Sequence, residues 1–279
     1  MTAPFGRRPA PVVSSQALGG YGLLSVADSG APAPVPGQFY MLATEQGWGG
    51  GEAERPYLPR AFSYARAHPD GRLDFLLEAV GPGTARLAAA EPGESLHLVG
   101  PLGEGFRLNA GGRYGDQNGS IGDAILVAGG IGAAPILALS DSVPDAPVLL
   151  GFRNAEYAQA AALFTNEPQL ATDDGSKGRH ALVTELLRER LDEAAAGGGV
   201  PPTVYACGPP PMLEAVRALC AERDVPAQLA MESGMACGFG ACFGCVVPTR
   251  DGYVRLCVDG PVVDAGDLDT ALIAGTGHH

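Results

Sequence analysis

Four cysteines near the C-terminus restrict how this chain can fold, because a shared metal centre would require all four to meet at one point. Three fall within nine residues and the fourth follows after eleven more: they are Cys237, Cys242, Cys245 and Cys257. This C-x₄-C-x₂-C…C spacing holds [2Fe–2S] clusters. Glycines between the cysteines let backbone N–H groups approach the sulfur atoms, where a Cβ would obstruct them. We therefore predict one [2Fe–2S] cluster bound by these four cysteines.

Two other uses of the cysteines are less consistent with their spacing. Structural zinc also takes four thiolates, but usually from two close pairs of cysteines. A disulfide framework is typical of short secreted chains, whereas this one has 279 residues and no recognisable secretory signal. Cys207 and Cys220 lie apart from the group, and Cys220 falls in an apolar helical pattern. We predict that Cys220 is a buried small hydrophobic side chain.

Charge and hydropathy exclude several classes of partner. The net charge of −13 argues against nucleic acid and anionic membranes, because both require basic surface. The longest apolar run covers residues 124–139 and is interrupted by three glycines and a proline, so it is too short and too broken for a membrane span. With six cysteines of reduced type, we expect a soluble, cytoplasmic protein.

The first part of the chain predicts an antiparallel barrel. Between residues 10 and 100 the pattern is one of short strands separated by turns, at 10–15, 21–26, 38–43, 61–67, 73–80 and 95–100. Six short strands in about a hundred residues are typical of a small barrel. A single helix is expected at 84–90. The segment 47–54, rich in glycine and charge, is predicted to be a loop.

The pattern changes near residue 120, where strands begin to alternate with helices. Buried strands are predicted at 124–128, 147–152 and 204–207, a short irregular piece at 159–163, and helices at 134–140, 182–195 and 211–223. Such alternation is typical of a parallel, doubly wound sheet. Residues 226–231 are interpreted as a connection to a hairpin that carries Cys257. The chain is thus predicted to be an α+β multidomain protein with a barrel (1–115), an α/β domain (116–225) and a cysteine region (226–279).

Two glycine-bearing turns follow strands of the predicted parallel sheet. Gly129, Gly130 and Gly132 lie between a strand and a helix, and Cys207–Gly208 ends another strand. Turns of this kind expose backbone N–H groups to phosphates, and ligands of open α/β sheets bind at the carboxyl ends of the strands. A glycine-rich turn alone is a weak signal. Together the two turns predict a site for one dinucleotide.

A third motif lies at the start of a barrel strand. Arg60 can grip a phosphate with two hydrogen bonds, and the strand through Ser63 can hydrogen-bond a flat ring system. Gly83–Thr84 would add backbone amides for a pyrophosphate. A nicotinamide exchanges two electrons as hydride whereas the cluster exchanges one, so a converter is needed, and a flavin can do this.

These motifs, in this order, resemble the ferredoxin–NADP reductase superfamily, whose members combine a flavin barrel with a nucleotide domain carrying Gly-Gly-x-Gly and Cys-Gly-Pro-x-x-Met turns. The segment 235–262 looks like that of the electron-transfer subunits of NAD-dependent dihydroorotate dehydrogenases. The resemblance covers nearly the whole chain, and the cysteine segment is its most specific part.

The resemblance implies residues for each cofactor. FAD would be bound by the family's Arg-Pro-x-Ser strand, by the following strand and by a pyrophosphate turn, which here are Arg60, Ala61, Phe62, Ser63; Leu76, Leu77, Glu78; and Gly83, Thr84. Ala61 replaces the usual proline, and Glu78 stands where arginine or another polar residue is expected. NAD would contact the two glycine-bearing turns, namely Gly129, Gly130, Gly132, Cys207 and Gly208.

The resemblance also implies a function. Electrons would pass from an FMN-containing catalytic subunit, which oxidises dihydroorotate in pyrimidine biosynthesis, through the cluster and FAD to NAD⁺. The two subunits would form a heterotetramer with two copies of each. Related subunits serve hydrogenases, glutamate synthase-like enzymes and transhydrogenases, and these alternatives stay open, as does a zinc-stabilised adaptor. The choice between NAD and NADP also stays open, because Arg153 is a cation that could receive a 2′-phosphate.

Overall fold

The computed structural model describes residues 6–49, 56–108 and 124–272, and within these ranges two seven-stranded sheets account for most of the molecule. The predicted boundary at residues 115 and 116 lies outside the described residues, as does most of the predicted loop at 47–54. The other predicted boundary, at 225, stays a prediction. Two strands beyond it, Ala227–Ala230 and Val262–Asp264, nevertheless belong to the second sheet.

The first sheet is antiparallel throughout and curls round a core built on Tyr40, Phe75 and Leu98. Side chains of β7 alternate strictly between partly exposed and buried, as expected of a strand with one face on a core. The strands, in the order β4-β3-β7-β1-β2-β6-β5, are β1 (Arg8–Leu18), β2 (Tyr21–Ala27), β3 (Phe39–Thr44), β4 (Arg60–Ser63), β5 (Arg66–Ala67), β6 (Arg72–Leu77) and β7 (Ser95–Leu102). Helix α1 (Pro82–Ala88) follows β6.

The two end strands of this sheet are consecutive in the chain. Only Tyr64 and Ala65 separate β4 from β5, so the two ends of the sheet lie close together and the sheet curls into a barrel that is left open, because these end strands do not pair with each other. The predicted single strand at 61–67 is therefore wrong: the chain turns a corner at two buried residues and pairs with a different neighbour on each side. The predicted flavin-binding strand is β4 alone.

The second sheet is parallel except for its last strand. Its strands, in the order β11-β10-β9-β8-β12-β13-β16, are β8 (Ala124–Gly129), β9 (Val148–Phe152), β10 (Gln169–Thr172), β11 (Arg179–His180), β12 (Thr203–Cys207), β13 (Ala227–Ala230) and β16 (Val262–Asp264). Helix α2 (Ala133–Ser140) belongs to one hydrophobic core, and α3 (Val183–Ala196) with α4 (Pro210–Glu222) to another. Helices thus cover both faces, and the predicted doubly wound sheet is confirmed.

Within the described residues, this half of the molecule also contains three short 3₁₀ helices, at Gly130–Gly132, Tyr157–Leu163 and Ala265–Asp267. The second contains the predicted irregular piece at 159–163. Strands β10 and β11 were not predicted. Cys220 lies in α4 at 1% exposure, so the prediction of a buried small side chain is confirmed. In the described part of the chain, no helix combines the length and apolar character that crossing a membrane requires.

Two details of the cysteine region differ from the sequence interpretation. Residues 226–231 are not merely a connection, because Ala227–Ala230 pairs with β12 as a fully buried strand. The hairpin consists of β14 (Val246–Thr249) and β15 (Gly252–Arg255), and Cys257 lies just beyond it. The strand ends early because the amides of Val258 and Asp259 both donate to the Arg255 carbonyl and turn the chain.

Candidate functional site

The structure gathers all four predicted cluster cysteines. Cys245 and Cys257 are buried, Cys237 is half-buried and Cys242 is exposed. The thiols lie in two close pairs, Cys237 beside Cys242 and Cys245 beside Cys257, and Cys237 is within electrostatic range of Cys257. Among the described residues, no group of three or more histidine, cysteine or acidic side chains is placed to hold one metal ion. Two pairs of thiolates suit two metal ions.

Backbone amides point at these sulfur atoms. The Gly240 N–H donates to Cys257 Sγ at 3.1 Å, the Gly244 N–H to Cys242 Sγ at 3.4 Å, and the Cys257 N–H to Cys245 Sγ at 3.4 Å. Burial favours the neutral thiol of Cys237, but backbone donors in residues 239–242 and the Cys242 thiol outweigh it and lower the pKa of Cys237 to about 6. Amide donors stabilise negative sulfur, and thiolate is the form that binds metal. The residues present therefore fit an iron–sulfur cluster.

The cysteine segment packs directly on the barrel. Gly238 adopts a positive φ of 81°, and a Cβ there would lie 2.9 Å from Met41 Sδ in β3 and 3.2 Å from Leu102 in β7. Met41 is in turn the register partner of Ala61 in β4. A single residue of the barrel therefore separates the cysteine loop from the predicted flavin-binding strand.

Strand β4 lies at the end of its sheet and pairs, among the described strands, with β3. Ala61 is exposed and Phe62 and Ser63 are partly buried, so one edge of the strand is available to a flat ring. The Arg60 side chain crosses to helix α1, where a Cβ on Gly83 would lie 2.7 Å from its Nε atom. Arg60 and Gly83 thus form a cradle that a side chain at Gly83 would fill.

Thr84 holds the turn before this helix in place. Its hydroxyl accepts hydrogen bonds from the backbone N–H groups of Val80 and Gly81, each at 2.9 Å. Leu76 and Leu77 are the last residues of β6 and both are 1% exposed. Their side chains lie in hydrophobic cores, so only their backbone is free to face a ligand.

The two glycine-bearing turns of the parallel sheet meet in space. A Cβ on Gly129 would collide with Met212 Sδ, and one on Gly208 would come within 3.0 Å of the Gly129 nitrogen. A Cβ on Gly132 would collide with the Cys207 carbonyl. Gly130 is different: it has a positive φ of 56°, and the nearest atom to its Cβ position is Tyr21 Oη at 3.8 Å. Three of these glycines therefore permit packing, and Gly130 faces open space.

Two titratable groups lie where the central strands of this sheet end. Cys207 closes β12 at 3% exposure, and burial followed by the nearby charge of Glu232 raises the pKa of its thiol well above the ordinary value. It is therefore an uncharged side chain of the site wall rather than a nucleophile. Glu232 reaches solvent, yet the surrounding protein desolvates its carboxylate and raises its pKa to about 7. Sequence reasoning missed Glu232, because it follows β13, which was interpreted as a connection.

A side-chain cluster joins the barrel to the parallel sheet beside Gly130. Glu78, just after β6, accepts a hydrogen bond from Arg153 Nη2 at 2.5 Å. The Arg153 guanidinium stacks 3.9 Å from the centre of the Tyr157 ring, which meets Tyr21 edge-on at 5.0 Å. The sequence singled out Glu78 and Arg153 separately, but nothing in it indicated that they pair.

Residues 232–269 match the family model described as the iron–sulfur cluster binding domain of dihydroorotate dehydrogenase B. The electron transfer subunit of dihydroorotate dehydrogenase B (NAD(+)) from Caldanaerobacter subterraneus subsp. tengcongensis is 33% identical, covering 84% of this chain and 87% of the relative. The subunit of the same name from Bacillus caldolyticus is 37% identical, covering 84% and 86%.

Solved structures agree on the fold. An NADH-dependent reduced ferredoxin–NADP oxidoreductase matches with a TM-score of 0.76 at 20% identity, covering 95% of this chain and 91% of its own. The ferredoxin reductase of carbazole 1,9a-dioxygenase matches with a TM-score of 0.63 at 23% identity, covering 81% and 68%.

The barrel, the doubly wound sheet and the cysteine segment therefore define an oxidoreductase of the ferredoxin reductase fold with an iron–sulfur domain. Within that class, the chain belongs to the family of electron-transfer subunits of dihydroorotate dehydrogenase B.

Proposed function

We propose that this chain carries FAD and a [2Fe–2S] cluster and passes electrons from a dihydroorotate-oxidising partner subunit to NAD⁺, in the biosynthesis of pyrimidines. The observation that carries this proposal is the contact between the two predicted cofactor sites. Gly238, next to Cys237, packs on Met41, and Met41 is paired with Ala61 of β4. Electrons moving singly between two groups require such proximity.

Different residues of the chain would hold the cluster and the FAD. Cys237, Cys242, Cys245 and Cys257 would hold the cluster, with the backbone amides of Gly240 and Gly244 stabilising negative sulfur. When bound, the flavin would exchange hydride with NAD and single electrons with the cluster. Arg60 and Gly83 would bind the FAD pyrophosphate in their cradle, and the free edge of β4 through Ser63 would hydrogen-bond the ring.

The nicotinamide nucleotide would enter at the carboxyl edge of the parallel sheet. Gly130 offers the open turn at which its phosphates could approach the backbone. Cys207 and Gly208 would face the nicotinamide as an uncharged, closely packed wall. Gly129 and Gly132 act indirectly, since the two turns could not meet if these residues carried side chains.

The partner subunit would dock over Cys242. Phe239 and Phe243, which flank this exposed cysteine in the sequence, are 53% and 62% exposed, and Tyr253 in the hairpin is 77% exposed; exposed aromatic side chains are enriched at interaction surfaces. We propose that the catalytic subunit contains FMN and that two copies of each chain assemble into a heterotetramer. A cytoplasmic location follows from the same chemistry, because cluster thiolates must stay reduced.

The decisive experiment is to reduce the purified subunit with NADH in a stopped-flow spectrometer and to follow flavin and cluster separately. We expect bleaching of a bound FAD, followed by a one-electron paramagnetic signal from the cluster. Co-expression with an FMN-containing dihydroorotate dehydrogenase subunit should then give NAD⁺ reduction driven by dihydroorotate. A colourless protein containing zinc would refute the proposal in favour of the adaptor, and loss of dihydroorotate coupling alone would favour another partner complex.

A further inference from the structure

Arg153 occupies the position at which a dinucleotide site distinguishes the two nicotinamide cofactors. It follows β9, which lies beside β8 in the parallel sheet, 23 residues after Gly130. In doubly wound sheets, a residue about 20 positions beyond the glycine turn contacts the adenosine ribose, and an arginine nearby accommodates the 2′-phosphate of NADP. An unpartnered arginine here would favour NADP(H).

The structure shows this arginine already bound. Its Nη2 atom donates to Glu78 at 2.5 Å, and its guanidinium stacks on Tyr157 at 3.9 Å. Glu78 directly follows β6 of the other sheet, and its side chain is 19% exposed, against 57% for Arg153. The carboxylate therefore sits at a well-anchored position, while the arginine remains within reach of a ligand.

The charge around Arg153 is also unfavourable to a second phosphate. Asp173 lies at the neighbouring strand end, where its N–H donates to the Phe152 carbonyl at 3.0 Å. Asp174 follows, and hydrogen bonds from Ser176 lower the pKa of its carboxyl. Asp173 and Asp174 therefore place two more negative charges near Arg153, in addition to that of Glu78, and like charges repel a phosphate brought there.

We propose that Glu78 is a specificity-determining residue, which selects NAD(H) over NADP(H) by pairing with Arg153 and withholding it from a 2′-phosphate. The inference rests on the proposed nicotinamide site and adds the residue that sets its preference. Glu78 acts through Arg153 and does not have to touch the nucleotide. A pair of this kind gives selectivity by making the wrong ligand break an ion pair before it can bind.

The test is a double-mutant cycle on the FAD-loaded protein, read out by binding as well as by activity. Calorimetric titration with 2′,5′-ADP and with 5′-AMP gives the affinity ratio for the 2′-phosphate without any redox step. We expect Glu78→Gln to raise this ratio about tenfold, as one charge-assisted hydrogen bond allows, and the double variant Glu78→Gln/Arg153→Gln to return it to the wild-type value. The ratio of the flavin reduction rate with NADPH to that with NADH should change in the same way, rising in Glu78→Gln and returning to the wild-type value in the double variant.

Glu94→Gln is the matched control, because it also breaks a barrel ion pair, with Arg86 at 2.7 Å, away from this cleft. It should leave the ratio unchanged. Glu78→Ala gives a second test should Glu78→Gln lose FAD. An unchanged ratio in the Glu78 variants, or a gain that persists without Arg153, would overturn the inference. If wild-type flavin is not reduced by NADH, the proposed function itself fails.

Discussion

The cysteine segment and the cleft between the two sheets differ in how far apart in sequence their partners lie. The four predicted cluster ligands fall within residues 237–257, and the amides that donate to their sulfurs come from the same stretch. In the cleft, Glu78 pairs with Arg153 across 75 residues, and Gly130 faces Tyr21 from the other sheet. Local chemistry can thus be inferred from spacing, whereas the chemistry of the cleft exists only once both sheets have folded.

The largest expected effect tests the independence of the cysteine segment. Replacing Cys242, which is exposed, by serine should abolish the cluster while FAD stays bound, because the loop loses a ligand and the barrel loses no contact. Iron and acid-labile sulfide should fall close to zero. The control is Cys220→Ala, at a cysteine outside the segment, which should retain both the iron and the acid-labile sulfide. A Cys242→Ser protein with wild-type iron and sulfide would contradict the assignment.

The next prediction concerns the barrel side of the cleft. Arg60→Ala should weaken FAD binding by about 10- to 100-fold, since a charge-assisted contact contributes about 1.5–3 kcal/mol. Arg86→Ala serves as the control, because that arginine lies in the same helix as Gly83 but pairs with Glu94. Fluorescence titration of the apoprotein with FAD measures both. Equal losses in the two variants would show that Arg60 has only a structural role.

The glycines of the parallel sheet should separate into two groups. Gly130→Val should block NADH while leaving FAD and cluster in place, because it fills the open turn and strains a residue at positive φ. Gly129→Val should instead destabilise the protein by about 1–3 kcal/mol through its collision with Met212. Urea unfolding and the KM for NADH distinguish the two. If Gly129→Val instead raised the KM for NADH and Gly130→Val only lowered stability, the phosphates would have to approach Gly129.

The smallest effect concerns how Thr270 and Ala271, which follow the cysteine segment, are held against helix α4. Glu214 in α4 binds Arg217, the Thr270 hydroxyl and the Ala271 N–H, and these contacts, led by Arg217, lower its pKa to about 2. Its folded-state pKa lies below the ordinary value of 4.5, so the stabilisation is present above that value and is lost as the pH falls towards 2.

Glu214→Gln should therefore lower the free energy of unfolding by about 1 kcal/mol at pH 6, a figure reduced by solvent screening. The difference from wild type should shrink at pH 4 and again at pH 3, as measured by urea unfolding. Glu193→Gln, on the exposed face of α3 beside Arg190, should show little difference at any pH. A penalty that does not change with pH would mean that the carboxylate charge is unimportant.

The sequence predicted most of the secondary structure but not every strand pairing. The buried run at 124–128 and the helix at 182–195 were recognisable because their hydrophobic periods differ. Strand β13 was missed, since four buried residues after a proline look the same whether or not they join a sheet. The corner between β4 and β5 was missed for a similar reason: an apolar pattern does not show where a strand exchanges one neighbour for another.

The sequence alone determined the order of the three regions, the four cysteines and the positions of the glycine turns, because each depends on residues close together in the chain. The tertiary structure decided which glycine faces open space, that Gly238 brings the cysteine loop onto Met41, and that Glu78 pairs with Arg153. Contacts of this second kind join residues tens of positions apart. They form only when the barrel and the parallel sheet bury their faces together, and no local pattern encodes them.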